Sequence, residues 1–216
     1  HAGSADKYLL KPVISVIPNF ISGVTGYVDP TLANAGTVVS AQQAGVVVKS
    51  TTPDATGKFT LEPVAPGTYD VVVTAAGHVT GVLTGVTVAD QTITLLNSST
   101  TTFSFAATAD GTVSGTITTA VTPIAAAIDA LQTLGNGDTI DIASTNADAT
   151  TGAYSLSLPA SAPVVAAYAA AASSVAFAPD ATAGNNYTVR ATSGGVSKSA
   201  QVAISASAPA SANFSF

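Results

Sequence analysis

The chain has 216 residues, enough for one large or two small domains that each bury a core. Charged residues make up 8% against 47% hydrophobic, and the net charge is −6 with only six lysines and arginines. A basic patch for phosphate contacts is therefore missing, no stretch of about 18 apolar residues is available to span a membrane, and the absence of cysteine removes disulfides and thiolate chemistry together.

Methionine and tryptophan are absent as well, and a chain that opens on His1 points to an upstream segment that was removed. Low charge with abundant Thr, Ser, Ala and Gly fits an exported bacterial surface protein better than a cytosolic enzyme. Threonine also favours pleated, half-buried positions, so this surface chemistry suits β-structure.

In chain order, residues 1–6 are small and polar, and Lys7–Pro18 is a β-branched apolar run that reads as a strand. Pro12 inside it cannot donate to a ladder and argues for an edge or a bulge. From Ile21 the chain repeats. Ile21–Val28 aligns with Val113–Thr118 as a first strand, Pro30 with Pro123, and Gln42 with Gln132. That register makes Ile124–Leu131 a strand, although its alanines alone would start a helix, because its partner Thr37–Ala41 is β-branched. Asp54–Leu61 and Asp148–Leu156 are matching turn-and-strand units, each presenting an aromatic and a leucine two residues apart. Pro66-Gly67 predicts a type II turn with positive φ at Gly67. The strand after it places Tyr69, Val71 and Val73 on one face, and its second copy runs from Gly184 to Thr192.

Gly57 and Gly152 are 95 positions apart while Tyr69 and Tyr187 are 118 apart, so the second half carries about 23 extra residues within Leu158–Gly184. This Ala-rich insert reads as a short helix across one sheet or an added strand pair, with its alanines favouring helix. Phe103 and Phe105 close the first half, Phe214 and Phe216 the second, each pair sharing a face. The expected organisation is an N-terminal extension over 1–20, a β-sandwich over 21–110 and a second one over 111–216.

Gly57-Lys58-Phe59-Thr60-Leu61 followed by Pro66-Gly67-Thr68-Tyr69-Asp70-Val71-Val72-Val73 resembles the carboxypeptidase regulatory-like domain, well over 21–105 and loosely over 112–216. The resemblance implies an all-β fold of two tandem transthyretin-like, Ig-like sandwiches with an extra N-terminal strand. It brings no catalytic residue and no cofactor, and so implies a scaffold. Lys7–Ile14 resembles the closing strand of an uncharacterised domain of bacterial surface lipoproteins, which would make this chain the C-terminal product of a longer precursor.

Few constellations carry chemistry. His1 and His78 are the two histidines, and an N-terminal histidine with a second one is the brace of copper-dependent polysaccharide monooxygenases, with Tyr8 or Tyr27 as axial aromatic. The plainer and favoured reading takes His1 as a cleavage scar and His78 as a turn residue after Gly77. Asp54 and Asp148 fall at equivalent turns, and Asp138 and Asp141 flank another; Asx-turns explain them as well as calcium does. A Ser–His–Asp triad has only His78 for its base and no nucleophile elbow. For a Lys–Asn cross-link Asn213 is placed in the last strand, but Thr112–Val121 has no lysine, and Glu62 is the single glutamate.

What remains is the orphan strand. Tyr8, Leu9, Leu10, Val13, Ile14, Val16 and Ile17 form a ribbon that either pairs within its own sandwich or docks on a neighbouring copy, and open-ended contacts of the second kind build a filament. The expectation is a non-enzymatic extracellular structural protein whose partner is itself, head to tail. Alternatives are a stalk module of an adhesin or a carbohydrate-binding module with surface polysaccharide as partner.

Overall fold

The computed structural model describes residues 21–33, 36–170 and 174–216. The ribbon Tyr8, Leu9, Leu10, Val13, Ile14, Val16 and Ile17, together with His1, lies outside them.

The fold is all-β, two sandwiches in tandem. In the first, a small sheet β4 (Lys58–Leu61), β1 (Gly23–Tyr27) and β7 (Ile93–Leu95) faces a larger one, in which β3 (Val46–Thr51), β2 (Val38–Gln43), β5 (Gly67–Thr74) and β6 (Gly81–Val88) pair in that order. Val24, Phe59, Leu61, Tyr69, Val71, Val73, Leu83 and Val86 fill the space between, as alternation predicts for strands with one face inward. One helical turn, α1 (Pro30–Ala33), interrupts them. Asp29 accepts from the Thr31 N–H at 2.9 Å as its N-cap, and Pro30 supplies a preset φ.

The second sandwich packs β11 (Ala153–Pro159) and β8 (Asp110–Thr118), flanked by β16 (Ala210–Ser211) and β17 (Phe214–Ser215), on the sheet β10 (Thr139–Asn146), β9 (Ala126–Thr133), β14 (Asn186–Ser193) and β15 (Val196–Ala203). Ala126–Thr133 is thus a strand, as the repeat register predicts and the alanines do not. Gly57 and Gly152 hold positive φ at equivalent turns. A Cβ there would stand 2.0 Å from the Val28 carbonyl oxygen and 2.1 Å from that of Ile117. Gly67, by contrast, has no positive φ. It is paired with Val88 inside β5, so the type II turn expected there does not form.

The Ala-rich insert departs from its helical preference. Val164–Ala167 form β12, which joins the first sandwich parallel to β6, with Val164 opposite Gly81 and Ala167 opposite Thr84. Ala178–Pro179, β13, pair back on β12. The open edge of β6 offers backbone partners that a helix would leave unmet, and Val164 and Val165 are β-branched; local propensity yields. Phe177 of the same insert meets Phe103 and Phe105 edge to face, with centroids 5.3 and 5.2 Å apart. A segment from the second half of the chain therefore completes the first sandwich.

A second contact fixes the halves against each other. Val72 and Val82 face away from the first core, yet they are fully buried among the apolar side chains of the second. This explains the unbroken Val71-Val72-Val73 run, since both faces of β5 are covered. Gln42, 1% exposed, crosses the seam. Its Oε1 accepts from the Asp141 N–H at 2.7 Å, and its Nε2 donates to the Asp141 carbonyl at 2.7 Å and to Ser40 Oγ at 2.9 Å. One side-chain amide thus does for Asp141 of edge strand β10 what a neighbouring strand would do at that residue.

Candidate functional site: strand edges and the open end of the second sandwich

A strand edge presents unpaired N–H and C=O groups, and an apolar edge is a template for another strand. At edge β10 Gln42 meets the backbone of Asp141, and the β6 edge is paired with β12. Edge β3 is different. Val46, Val47 and Val48 are 58%, 42% and 46% exposed, and among the described residues β3 pairs with β2 alone. The Ala44-Gly45 turn before it holds positive φ at both residues, the hairpin geometry that sends β3 back along β2.

Edge β15 carries the other opening. Its residues 196–199 are all exposed, and Val196 stands opposite Phe216, which is only half-buried. Phe214 plugs the core as the sequence predicts, but Phe216 instead walls a groove of about 450 Å³ with Val121, Pro123, Ala125 and Val196. Lys198 donates to the Ser215 carbonyl and lies 5.3 Å above the Phe216 ring, where cation–π attraction holds the ring against the groove wall. β17 pairs with β8 on one side.

The chemistry-bearing residues singled out in the sequence do not converge. His78 sits in an exposed turn with Nδ1 3.0 Å from the Ala76 carbonyl oxygen. Among the described residues no three His, Cys, Asp or Glu side chains group to hold a metal ion. Asp54 accepts from the Thr56 N–H at 2.8 Å and its hydroxyl at 2.6 Å, and Asp148 from the Thr151 N–H at 2.7 Å and its hydroxyl at 2.9 Å. These bonds favour the charged carboxylates and lower both pKa values, as turn-capping requires. Asp138 and Asp141 do not flank a common turn. Asp138 ends the Leu134–Asp138 turn, whereas Asp141 lies inside β10 against the seam. Burial first, then the nearby Asp129 charge, push the Asp141 carboxyl up to about 7, offset in part by Arg190. Arg190 itself pairs with Asp129 at 2.8 Å.

Asn213 is engaged by the Thr116 N–H at 2.8 Å, bound to its own neighbour strand rather than to a lysine. Tyr27, Tyr69, Tyr154, Tyr168 and Tyr187 are buried or half-buried, and three of them anchor strands. Tyr69 donates to the Ala65 carbonyl at 2.9 Å, Tyr187 to that of Pro159 at 2.8 Å, and Tyr154 to that of Ala212. Gln42 was legible in the sequence only as a repeat position matched to Gln132. Both are 1% exposed in the fold, and the repeat match was the one signal available in the sequence. Among the described residues no helix is long and apolar enough to cross a membrane.

Comparison with known proteins agrees with the first half of this picture. The model of the carboxypeptidase regulatory-like domain matches residues 23–100. No curated protein matches the chain. Among solved structures, an interface mutant of the type II cohesin–X-dockerin complex from Acetivibrio cellulolyticus is similar at 27% identity, with a TM-score of 0.34 over 40% of this chain; the chain spans 58% of that one. The Bacillus anthracis TIE protein aligns at 12% identity and a TM-score of 0.27, over 91% of this chain and 33% of its own. A streptococcal ancillary pilin aligns at 10% identity and a TM-score of 0.28, over 96% of this chain and 66% of its own. Strands β1 to β7, within residues 23–100, are where the chain matches the carboxypeptidase regulatory-like domain.

Proposed function

We propose that this chain is a non-enzymatic structural protein of the bacterial cell surface, a subunit that assembles head to tail by giving its Lys7–Ile17 strand to a neighbouring copy. The observation that carries the reading is that, among the described residues, β3 and β15 each pair on one side alone, with Val46, Val47 and Val48 exposed along β3 and Val196 exposed at the start of β15, on a surface with few charges to repel a second copy. Each apolar side chain of the donated ribbon contributes about 1.5–3 kcal/mol when fully buried, so seven outweigh the cost of ordering eleven residues only if most of them enter a groove.

Acceptance of a strand from elsewhere already occurs within the molecule, where β12 adds to the first sandwich in parallel. The seam through Gln42, Val72 and Val82 joins the halves into one stiff unit, as a load-carrying subunit needs. Negative-stain imaging of the full chain beside Leu10→Asp and Ile14→Asp tests the reading. Fibres in the parent and single particles in both variants are expected; fibres unchanged in the variants, or none in the parent, refute it. The second result would leave a monomeric stalk module.

A further inference from the structure

We infer that the chain carries tension along its length, each sandwich holding its entry and exit together through a parallel clamp that an asparagine side chain completes. The inference goes beyond assembly, since a lone stalk module would use the same device. In the first sandwich the first described strand, β1, runs parallel to the exit of the chain. Gly23 stands opposite Ile93, Thr25 opposite Leu95 and Val28 opposite Phe103. In the second, β8 runs parallel to its own exit, with Val113 opposite Ala210 and Ile117 opposite Phe214. Tension drags an entry strand toward its start and an exit strand toward its end. Parallel neighbours must then slide past each other, and the bonds between them lie across the load and break together. Antiparallel neighbours such as β1 and β4, pulled from the two ends that lie side by side, open one bond at a time.

Both exits are interrupted, and the same kind of side chain bridges the gap. β7 ends at Leu95, a turn follows in which the Thr101 N–H donates to the Ser98 carbonyl, and the backbone returns to β1 at Phe103, whose N–H donates to the Tyr27 carbonyl at 2.9 Å. Asn97 fills the interval. Its Oδ1 accepts from the Tyr27 N–H at 2.7 Å, and its Nδ2 donates to the Tyr27 carbonyl at 2.8 Å. In the second sandwich the gap lies between β16 and β17, and Asn213 Oδ1 accepts from the Thr116 N–H at 2.8 Å. Tyr27 and Thr116 are equivalent, because each precedes the residue that donates to a turn glycine: Val28 to Gly57 at 2.9 Å, Ile117 to Gly152 at 2.8 Å. Asn97 stands six residues before Phe103 and Asn213 one before Phe214, so the rung recurs although the sequence spacing does not. Close approach recurs with it. A Cβ on Gly26 would come within 3.0 Å of Asn97 Oδ1, and one on Gly115 within 1.8 Å of the Ala212 carbonyl oxygen. Residues 106–109 alone separate Phe105 from β8, so tension leaving the first clamp enters the second. Asn97 is half-buried, whereas Asn213 and Thr116 are exposed and their bond competes with water, which makes the first clamp the one to test.

Single-molecule pulling on the full chain tests this, because a chain without cysteine takes handles wherever two are introduced. Handles at Ile21→Cys and Ala106→Cys, both exposed, load β1 against Phe103 in shear. Handles at Ile21→Cys and Ala65→Cys, also exposed, load β1 and β4 from adjacent ends, where the Val64 N–H donates to the Ser22 carbonyl at 2.9 Å. At one pulling rate the first pair is expected to need at least about twice the force of the second. Asn97→Ala is expected to speed unfolding about tenfold in the first geometry and to leave the second unchanged, because Tyr27 lies at the far end of β1 from both of those handles. Dependence on direction separates a clamp from a general stabiliser, which would weaken both geometries alike. The comparison of directions in the parent needs no substitution at Asn97, so it decides even where the alanine variant does not fold. Equal forces in the two geometries, or an Asn97→Ala that weakens both or neither, overturn the inference and leave the assembly reading to the imaging above.

Discussion

Replacing Gln42 by alanine removes the clamp at the seam, and its cost can be worked from the contacts. Three hydrogen bonds are lost, at 2.7, 2.7 and 2.9 Å, each contributing about 0.5–1.5 kcal/mol net. The Asp141 N–H and C=O are left facing a cavity in a site where Gln42 is 1% exposed, and an unmet buried backbone group adds about 1–3 kcal/mol unless water enters. The expected loss is about 3–4 kcal/mol, read as a lower midpoint in urea unfolding at pH 6. Gln43→Ala, which removes one exposed bond to Thr68, is the control and loses under about 1 kcal/mol. Gln42→Glu keeps the shape but cannot donate to the Asp141 carbonyl, and falls close to the alanine variant. A loss below about 0.5 kcal/mol for Gln42→Ala would refute the clamp, and with it the stiffness assigned to the tandem.

Three further outcomes are expected. Asp141 ionises near 3.8 in the unfolded chain and near 7 in the fold, so between these values the unfolded state sheds a proton that the native state keeps; stability therefore falls as pH rises from about 4 to about 7. Asp129 and Arg190 are the charges that face it, and Asp141→Asn flattens that slope and gains about 1–2 kcal/mol at pH 8 after allowance for partial exposure, measured by thermal melts across pH. Gly57→Ala and Gly152→Ala, each forcing a Cβ to within about 2 Å of a carbonyl oxygen at positive φ, destabilise by more than about 1 kcal/mol, while Gly194→Ala, with open space around its Cβ, costs less in the same assay. A double-mutant cycle of Phe105→Ala and Phe177→Ala gives a coupling of about 0.5–1.5 kcal/mol; zero coupling would mean that the insert is not docked on the first sandwich.

Much of the architecture was legible because two kinds of signal agreed. Alternation at Tyr69, Val71 and Val73 and the repeat register at Ile124–Leu131 both report which face meets a core, and a local period of two survives in the fold. What failed was local reasoning about long-range partners. The insert's alanines favour helix, yet the unfilled edge of β6, some eighty residues away, decides its conformation. Val72 falls on the face opposite Tyr69, Val71 and Val73, and nothing in its neighbourhood announces that the second sandwich will cover it. Gln42 read as a repeat marker, since the backbone it clamps lies 99 positions downstream. The groove at Phe216 was hidden for a similar reason: Phe214 and Phe216 share a face in sequence, but the sheet ends between them, and only the first finds a closed core.

Light scattering on the full chain over a range of concentrations tests the central claim most directly. Donation of Lys7–Ile17 to a second copy predicts a mass that climbs with concentration beyond any fixed multiple of 21.0 kDa, and that returns to 21.0 kDa in Ile14→Asp. A mass of 21.0 kDa at every concentration, in parent and variant alike, would contradict it.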